Sequence, residues 1–259
     1  MIGPALPLPP DEIHVWLAFP DQITDEPLLK RCRSLLTAEE QTATDRLVFE
    51  RHRHQRLITR ALQRDLLSRY TGESPAAWQF EADRYGKPEI LSPRRWNRLR
   101  FNLSHTDGLI ACAVTFDRDV GVDIEYVRRP TRFMDIAPRV FAPAELIELH
   151  RLEPDPQRAR FFALWTLKEA YIKARGQGLA IPLDKFSFRF GQHEEIAIDI
   201  DPSLEDDAAT WQFERRYVTD DHAIAVAARR TDDRPLRVTY YETMPLRTDV
   251  QKELESAPT

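Results

Sequence analysis

The sequence predicts an α+β protein made of two similar α+β halves related by a pseudo-two-fold axis. Two observations predict it. The stretch Thr106-Asp107-Gly108-Leu109-Ile110-Ala111-Cys112-Ala113-Val114 lies over Thr219-Asp220-Asp221-His222-Ala223-Ile224-Ala225-Val226-Ala227, each reading as a hairpin turn with its second strand. Both halves also order their parts as long helix, glycine, aromatic strand and hairpin. A length of 259 residues fits one large domain or two of ordinary size. The division runs 1–119 and 120–247, followed by a polar, frayed tail over 248–259. A duplication places the strand around Asp123 at the junction of the halves, where clefts form preferentially and where the active site is expected.

Along the chain, Glu12 to Phe19 alternates apolar and polar residues as a strand does. From Thr37 to about Tyr70 the pattern is helical, opened by a capping box of Thr37 and Glu40. Ile58, Leu62 and Leu66 form its apolar stripe, with Arg53, Arg56, Arg60 and Arg64 on a neighbouring one, and Gly72 stops it. A short strand at Trp78 to Glu81, the loop Arg84-Tyr85-Gly86-Lys87-Pro88, and a hairpin of Leu99–Leu103 with Leu109–Phe116 follow. After Gly121 a strand leads to a helix opening at Pro143. Asp155 and Pro156 then form the N-cap and first turn of a helix running to about Arg175, ended by Gly176 and Gly178. Phe186–Phe190 reads as a strand, and Gln212–Val218 with Ala223–Ala228 as the last hairpin.

The bulk composition is globular, with 42% hydrophobic residues, and a net charge of −5 argues against nucleic-acid binding. Two cysteines, Cys32 and Cys112, cannot build a disulfide framework, so a reducing cytoplasm is expected. Met1–Pro10 holds four prolines and no basic start, unlike a signal peptide, and no apolar run approaches the ~20 residues of a membrane span.

Chemistry concentrates in two segments. In Gly121-Val122-Asp123-Ile124-Glu125, residues two apart on a strand share a face, so Asp123 and Glu125 present paired carboxylates that repel unless a cation lies between them. In Trp165-Thr166-Leu167-Lys168-Glu169-Ala170-Tyr171-Ile172-Lys173, Glu169 and Lys173 stack one helical turn apart. Together they suit a divalent metal bound to a phosphate-bearing ligand. The plain alternatives are solvated strand acids and an i,i+4 pair of ~0.3–0.5 kcal/mol. Ser104 and His105 at a strand end could bind phosphate or form an ordinary turn; no acidic partner for a Ser-His-Asp triad is recognisable. Between Arg46 and Arg69 seven arginines face two acids, a solvated face or a phosphate-binding one, and Lys87 beside Gly86 and Pro88 has the same two readings.

The ordered set Gly86-Lys87-Pro88, Phe101-Asn102-Leu103-Ser104-His105, Gly121–Glu125 and Trp165–Ala174 with Gly176 and Gly178 resembles the 4′-phosphopantetheinyl transferases, in their large monomeric class that serves peptide and polyketide synthetases. The resemblance runs from about Thr37 to Ala228. It implies two similar α+β halves, and transfer of the phosphopantetheine arm of coenzyme A to a serine of an apo acyl or peptidyl carrier protein, releasing adenosine 3′,5′-bisphosphate. It implies that Asp123, Glu125 and Glu169 hold Mg²⁺ against the coenzyme A pyrophosphate and that Lys173 contacts that pyrophosphate. It further implies that Ser104 and His105 contact the nucleotide, with His105 on the 3′-phosphate, and that Lys87 helps hold coenzyme A. Glu169 would take the serine proton or act as ligand only. Relatives carry basic residues where Glu40 and Ala43 stand here, and Arg51 and Arg56 would take over their phosphate contact. The segment Val127–Phe141, with Phe133, Met134 and Phe141 among arginines, would meet the acidic helix of the carrier, against the plain reading of an inter-helix connection. Two other functions share part of this set: a Mg²⁺-dependent hydrolase of a nucleotide pyrophosphate, and a non-catalytic coenzyme A binder or carrier-protein adaptor.

Overall fold

The structure is a computed structural model that describes residues 5–191 and 195–254. The chain divides into two compact units, one of Met1–Ala82, Pro88–Asp117 and Arg237–Thr259, the other of Asp83–Lys87 and Arg118–Leu236. Both mix helices with antiparallel strands, the α+β class that the sequence predicts.

The first unit is built on a five-stranded sheet. Its strands are β1 (Glu12–Ala18), β4 (Leu99–Thr106), β5 (Leu109–Phe116), β11 (Arg237–Met244) and β12 (Arg247–Leu254), in the order β12-β11-β1-β5-β4. A small ribbon of β2 (Gln79–Ala82) and β3 (Pro88–Ser92) accompanies it. Helices α1 (Glu26–Ser34), α2 (Ala38–Asp45) and α3 (Glu50–Thr71) complete the unit. The apolar stripe of α3, with Ile58, Leu62 and Leu66, closes the core against Trp16, Ile110, Cys112 and Val114.

The single helix expected from Thr37 to Tyr70 is two. The capping box is present: Glu40 N–H donates to Thr37 Oγ1 at 3.2 Å and Thr37 N–H to Glu40 Oε2 at 3.0 Å. After Asp45 the helix gives out. Arg53 Nη1 takes the carbonyls of Leu47 and Val48 at 2.7 and 3.0 Å, which a continuous helix would have used, and Phe49 is extended as the N-cap of α3. A tail from 248 is also overturned for its described part. Arg247–Leu254 forms β12, paired antiparallel with β11, which itself runs parallel to β1. An edge strand with both faces mostly exposed has the composition of a tail. Residues 237–247 accordingly belong to the sheet of the first unit and not to the second half.

The second unit carries a three-stranded sheet in the order β6-β10-β9, from β6 (Val120–Tyr126), β9 (Trp211–Thr219) and β10 (His222–Arg229). Helices α4 (Phe133–Val140), α5 (Pro143–His150) and α6 (Pro154–Arg175) and a ribbon of β7 (Phe186–Phe190) with β8 (Ile196–Ile200) complete it. α6 begins two residues before the expected Asp155-Pro156 start. Glu153 is its N-cap, because Pro154 at the first helical position needs no amide partner and biases its predecessor to extended backbone. α4 falls in a stretch where no helix is expected.

The two units share local features. α3 and α6 are both 22 residues long and both end on a left-handed glycine, Gly72 at φ 73° and Gly176 at φ 66°. Thr106 and Thr219 each end the outer hairpin strand, and Leu109 and His222 each begin the inner one. Among the described residues no helix is long and apolar enough to cross a membrane.

Candidate active site

In the second unit, β6 lies beside β10, whose partners for Gly121, Asp123 and Glu125 are Ala227, Ala225 and Ala223. Directly opposed residues of an antiparallel pair share a face. The face carrying the acids is therefore paved with alanines, and α6 can lie on it. Gly121 makes the closest approach: a Cβ there would lie 2.0 Å from the Ala170 carbonyl oxygen and 2.5 Å from the Ala174 amide nitrogen. Glycine is required at this position by backbone contact, whatever its φ.

That contact brings the motif residues of α6 to those of β6. Lys173 Nζ donates to Asp123 Oδ1 at 2.7 Å and to the Val122 carbonyl at 3.2 Å, and Asp123 is 5% exposed. Trp165 Nε1 donates to Glu125 Oε1 at 2.9 Å, while Arg129 pairs with Glu125 Oε2. Glu169 has no hydrogen bond or ion pair among the described residues. Burial, then the charge of Asp123, push its carboxyl up from its ordinary 4.5 to about 7; Lys173 offsets this and Glu125 adds to it. The Glu125 carboxyl is raised as well, by burial and by Asp123, with Arg129, Trp165 and Lys173 working the other way.

The sign of the Glu169 shift has a measurable consequence. A carboxyl with a raised folded-state pKa costs stability when ionised, so the native state weakens as pH climbs from 4.5 through about 7. Without metal, Glu169→Gln should stabilise the protein above pH 7 by up to roughly 3 kcal/mol, and the gain should vanish near pH 4. Melting curves in EDTA across this range check it; a gain independent of pH would refute the electrostatic origin.

Lys87 lies with this unit. Its ammonium donates to the carbonyls of Ala174 and Val120 at 3.2 and 3.4 Å, where α6 ends and β6 begins.

The first unit holds a cavity of about 450 Å³ lined by α3, β3 and β4 residues that include His52, Gln55, Arg56, Arg60 and His105. Arg56 Nε is buried without a hydrogen-bond partner among the described residues. Burial pushes the Arg60 guanidinium below its ordinary range; Glu40 opposes this, and Arg56 and Arg64 add to it. A crowded guanidinium pair beside an opening suits an anion. Glu40 pairs with Arg64 at 2.8 Å and lies 3.8 Å from Arg60. Of the residues expected to bind phosphate, Arg56 and His105 line this cavity and Arg51 does not; it is exposed and stacks over Phe49 at 5.9 Å. Ser104 is buried, and adjacent strand residues project to opposite faces, so it does not join His105 there. His52 and Arg60 are the residues sequence reasoning did not assign to the site. Their signal was the i,i+4 series His52, Arg56, Arg60 on one face of α3.

The expected carrier-facing segment is partly corrected. Phe141 is 2% exposed in the core and Phe133 packs on Phe161 at 5.2 Å, whereas Ile136 on α4 is 42% exposed. Arg128, Arg132 and Arg139 are exposed as well.

The comparisons with known proteins agree with this arrangement. Residues 119–227 match the model of the 4′-phosphopantetheinyl transferase superfamily, and residues 24–116 that of the N-terminal part of a 4′-phosphopantetheinyl transferase. The 4′-phosphopantetheinyl transferase HetI of Nostoc sp. is 34% identical over 229 residues, covering 87% of this chain and 90% of the relative. A 4′-phosphopantetheinyl transferase of Bacillus subtilis is 34% identical over 78% of this chain and 86% of its own length. Sfp of Bacillus subtilis is 32% identical over 67% and 75%. With a helix and strand that join the motif carboxylates, and with relatives this similar along most of the chain, the protein belongs to the 4′-phosphopantetheinyl transferases, in the class of Sfp and HetI.

Proposed function

We propose that the protein transfers the 4′-phosphopantetheine arm of coenzyme A to a serine of apo acyl or peptidyl carrier proteins, with Mg²⁺, releasing adenosine 3′,5′-bisphosphate. The observation that carries the reading is Glu169, an unpaired carboxylate pushed up to about 7 beside Asp123 and Glu125. Two carboxyls raised by burial and by the neighbouring Asp123 charge, together with Asp123 itself, make three hard oxygen donors that fit a magnesium ion. Among the described residues no three His, Cys, Asp or Glu side chains already gather as a metal cluster. Asp123 is held by Lys173 and Glu125 by Arg129. Asp123, Glu125 and Glu169 would hold the ion, which when bound neutralises pyrophosphate charge.

The chain's own groups account for the rest. The carrier serine Oγ attacks the β-phosphorus, the bond from that phosphorus to the bridging oxygen breaks, and the nucleotide leaves with the bridging oxygen. Glu169, the one of the three carboxylates with no hydrogen bond or ion pair among the described residues, receives the serine proton. Lys173, already an ion-pair donor to Asp123, offsets charge on the departing oxygen. The arginine-lined cavity of the first unit receives the 3′-phosphate. The deciding experiment is mass spectrometry of apo carrier proteins incubated with the protein, coenzyme A and Mg²⁺. A gain of about 340 Da, the mass of the transferred arm, is expected. Coenzyme A cleaved without that gain would establish a hydrolase instead.

If the cavity reads the 3′-phosphate, dephospho-coenzyme A should bind ~10-fold or more weakly than coenzyme A. His105→Ala and Arg60→Ala should each shrink that ratio, and Arg56→Ala with Arg60→Ala should bring it near one. Calorimetric titration checks this; equal wild-type binding of both ligands excludes the cavity as the phosphate site.

Carrier proteins are acidic, and opposite charge mainly raises association rates, screened over ~10 Å at 0.1 M salt. Arg128→Glu with Arg132→Glu should raise the KM for carrier protein several-fold and flatten its salt dependence, leaving that for coenzyme A nearly unchanged. Ile136→Ala should weaken carrier binding at every salt concentration, since an apolar anchor acts on dissociation. Unchanged carrier kinetics in the charge-reversed protein would move the docking surface elsewhere.

A further inference from the structure

Lys168, inside the Trp165–Lys173 motif, takes no part in the chemistry above, and its side chain is wholly buried. Its ammonium donates to the carbonyls of Leu183 and Phe186 at 2.7 and 2.6 Å and pairs with Glu145 Oε2 at 2.8 Å. Glu145, equally buried, accepts the Ala142 N–H on Oε2 at 2.8 Å and the Phe188 N–H on Oε1 at 2.9 Å. All three ammonium protons thus have acceptors. One pair ties α6 to the start of α5, to the chain around 183–186 and to β7.

Ion pairs this deep seldom stabilise a fold more than well-packed apolar residues would. What they add is direction. Apolar contacts are non-directional and let a helix slide or roll slightly, whereas three N–H bonds fix both its height and its rotation. Neighbouring helix residues lie about 100° apart, so holding Lys168 toward α5 and β7 sets where Glu169 points. The opposite side of α6 rests on Gly121. The helix is gripped from both sides at the turn that carries Glu169.

We infer that Glu145 and Lys168 are positioning residues for the transfer reaction, a clamp behind α6 that aims Glu169 and Lys173 at Asp123. The inference rests on the transferase reading. Lys168→Met alone would strand a buried carboxylate and risk unfolding. The informative variant is therefore the double Lys168→Met/Glu145→Gln, which removes both charges and keeps an acceptor for the Phe188 N–H. It should keep the wild-type circular dichroism, hold KM for coenzyme A and carrier within about twofold, and lose roughly 10-fold or more in kcat, because small misplacements of reacting groups are costly. Glu145→Gln alone should show the same split more weakly, about threefold in kcat. Wild-type kcat in the folded double variant overturns the clamp, as does a loss that falls equally on KM. If the double variant does not fold, wild-type kcat in Glu145→Gln overturns it. A wild-type protein inert toward every apo carrier protein would instead overturn the transferase reading, and the clamp with it.

Discussion

Asp123→Ala and Glu169→Ala should each lower carrier modification by ~10³-fold or more, about 4 kcal/mol of transition-state stabilisation, while the protein stays folded. The two residues fail for different reasons. Asp123 is buried and holds Lys173 at 2.7 Å, so its loss removes a carboxylate and frees the ammonium from its partner at once. Glu169 has no such partner, and removing it relieves repulsion. Glu169→Ala should therefore melt at or above the wild-type temperature near pH 8, and Asp123→Ala at or below it. Transfer assays at saturating Mg²⁺, read beside melting curves, separate lost chemistry from lost fold. Near-normal turnover by either variant would sink the proposed site.

Gly121→Ala should be nearly as damaging without touching a charged group. The added methyl would meet the backbone of α6 at Ala170 and Ala174, and neither contact is a flexible side chain that could swing aside. Overpacking of this kind costs about 3 kcal/mol or more when backbone must move. A fall of roughly 6–12 °C in Tm follows for a protein of this size. Turnover measured well below the new Tm should also drop, because the strand holding Asp123 and Glu125 is pushed from the helix holding Glu169. A variant that matched the wild type in both respects would mean that β6 and α6 are not in backbone contact.

The motif segments of β6 and α6 were legible because their signals are local. Alternation in β6 and the turn spacing of α6 are properties of neighbouring residues, and Gly72 and Gly176 end helices by their own backbone freedom. What was illegible depends on partners far along the chain. Leu47 to Phe49 reads as helix until the Arg53 side chain takes its carbonyls. The arginines of α3 form one composition but several environments. Arg64 and Arg69 are buried against Glu40 and Asp65, Arg56 and Arg60 line the cavity, and Arg51 is exposed. Packing alone sorts them. α4 escaped notice because its eight residues include Pro138 and its exposed Ile136 stands in sequence between Arg132 and Arg139. β11 escaped because its pairing with β1 spans nearly the whole chain, and β12 because it joins the sheet through β11.

That last pairing bears on how the protein is made. Residues 118–236 form one unit within the chain of the other, whose sheet receives β11 between β1 and β12 only after everything else has been synthesised. On the ribosome, the unit that carries Asp123, Glu125 and Glu169 has all its strands available while β1 still has one unpaired edge. A premature stop after Leu236 would spare every residue proposed here for catalysis. It would nevertheless leave the β1 edge open to pairing with other chains, so the loss should present as aggregation of the nascent product.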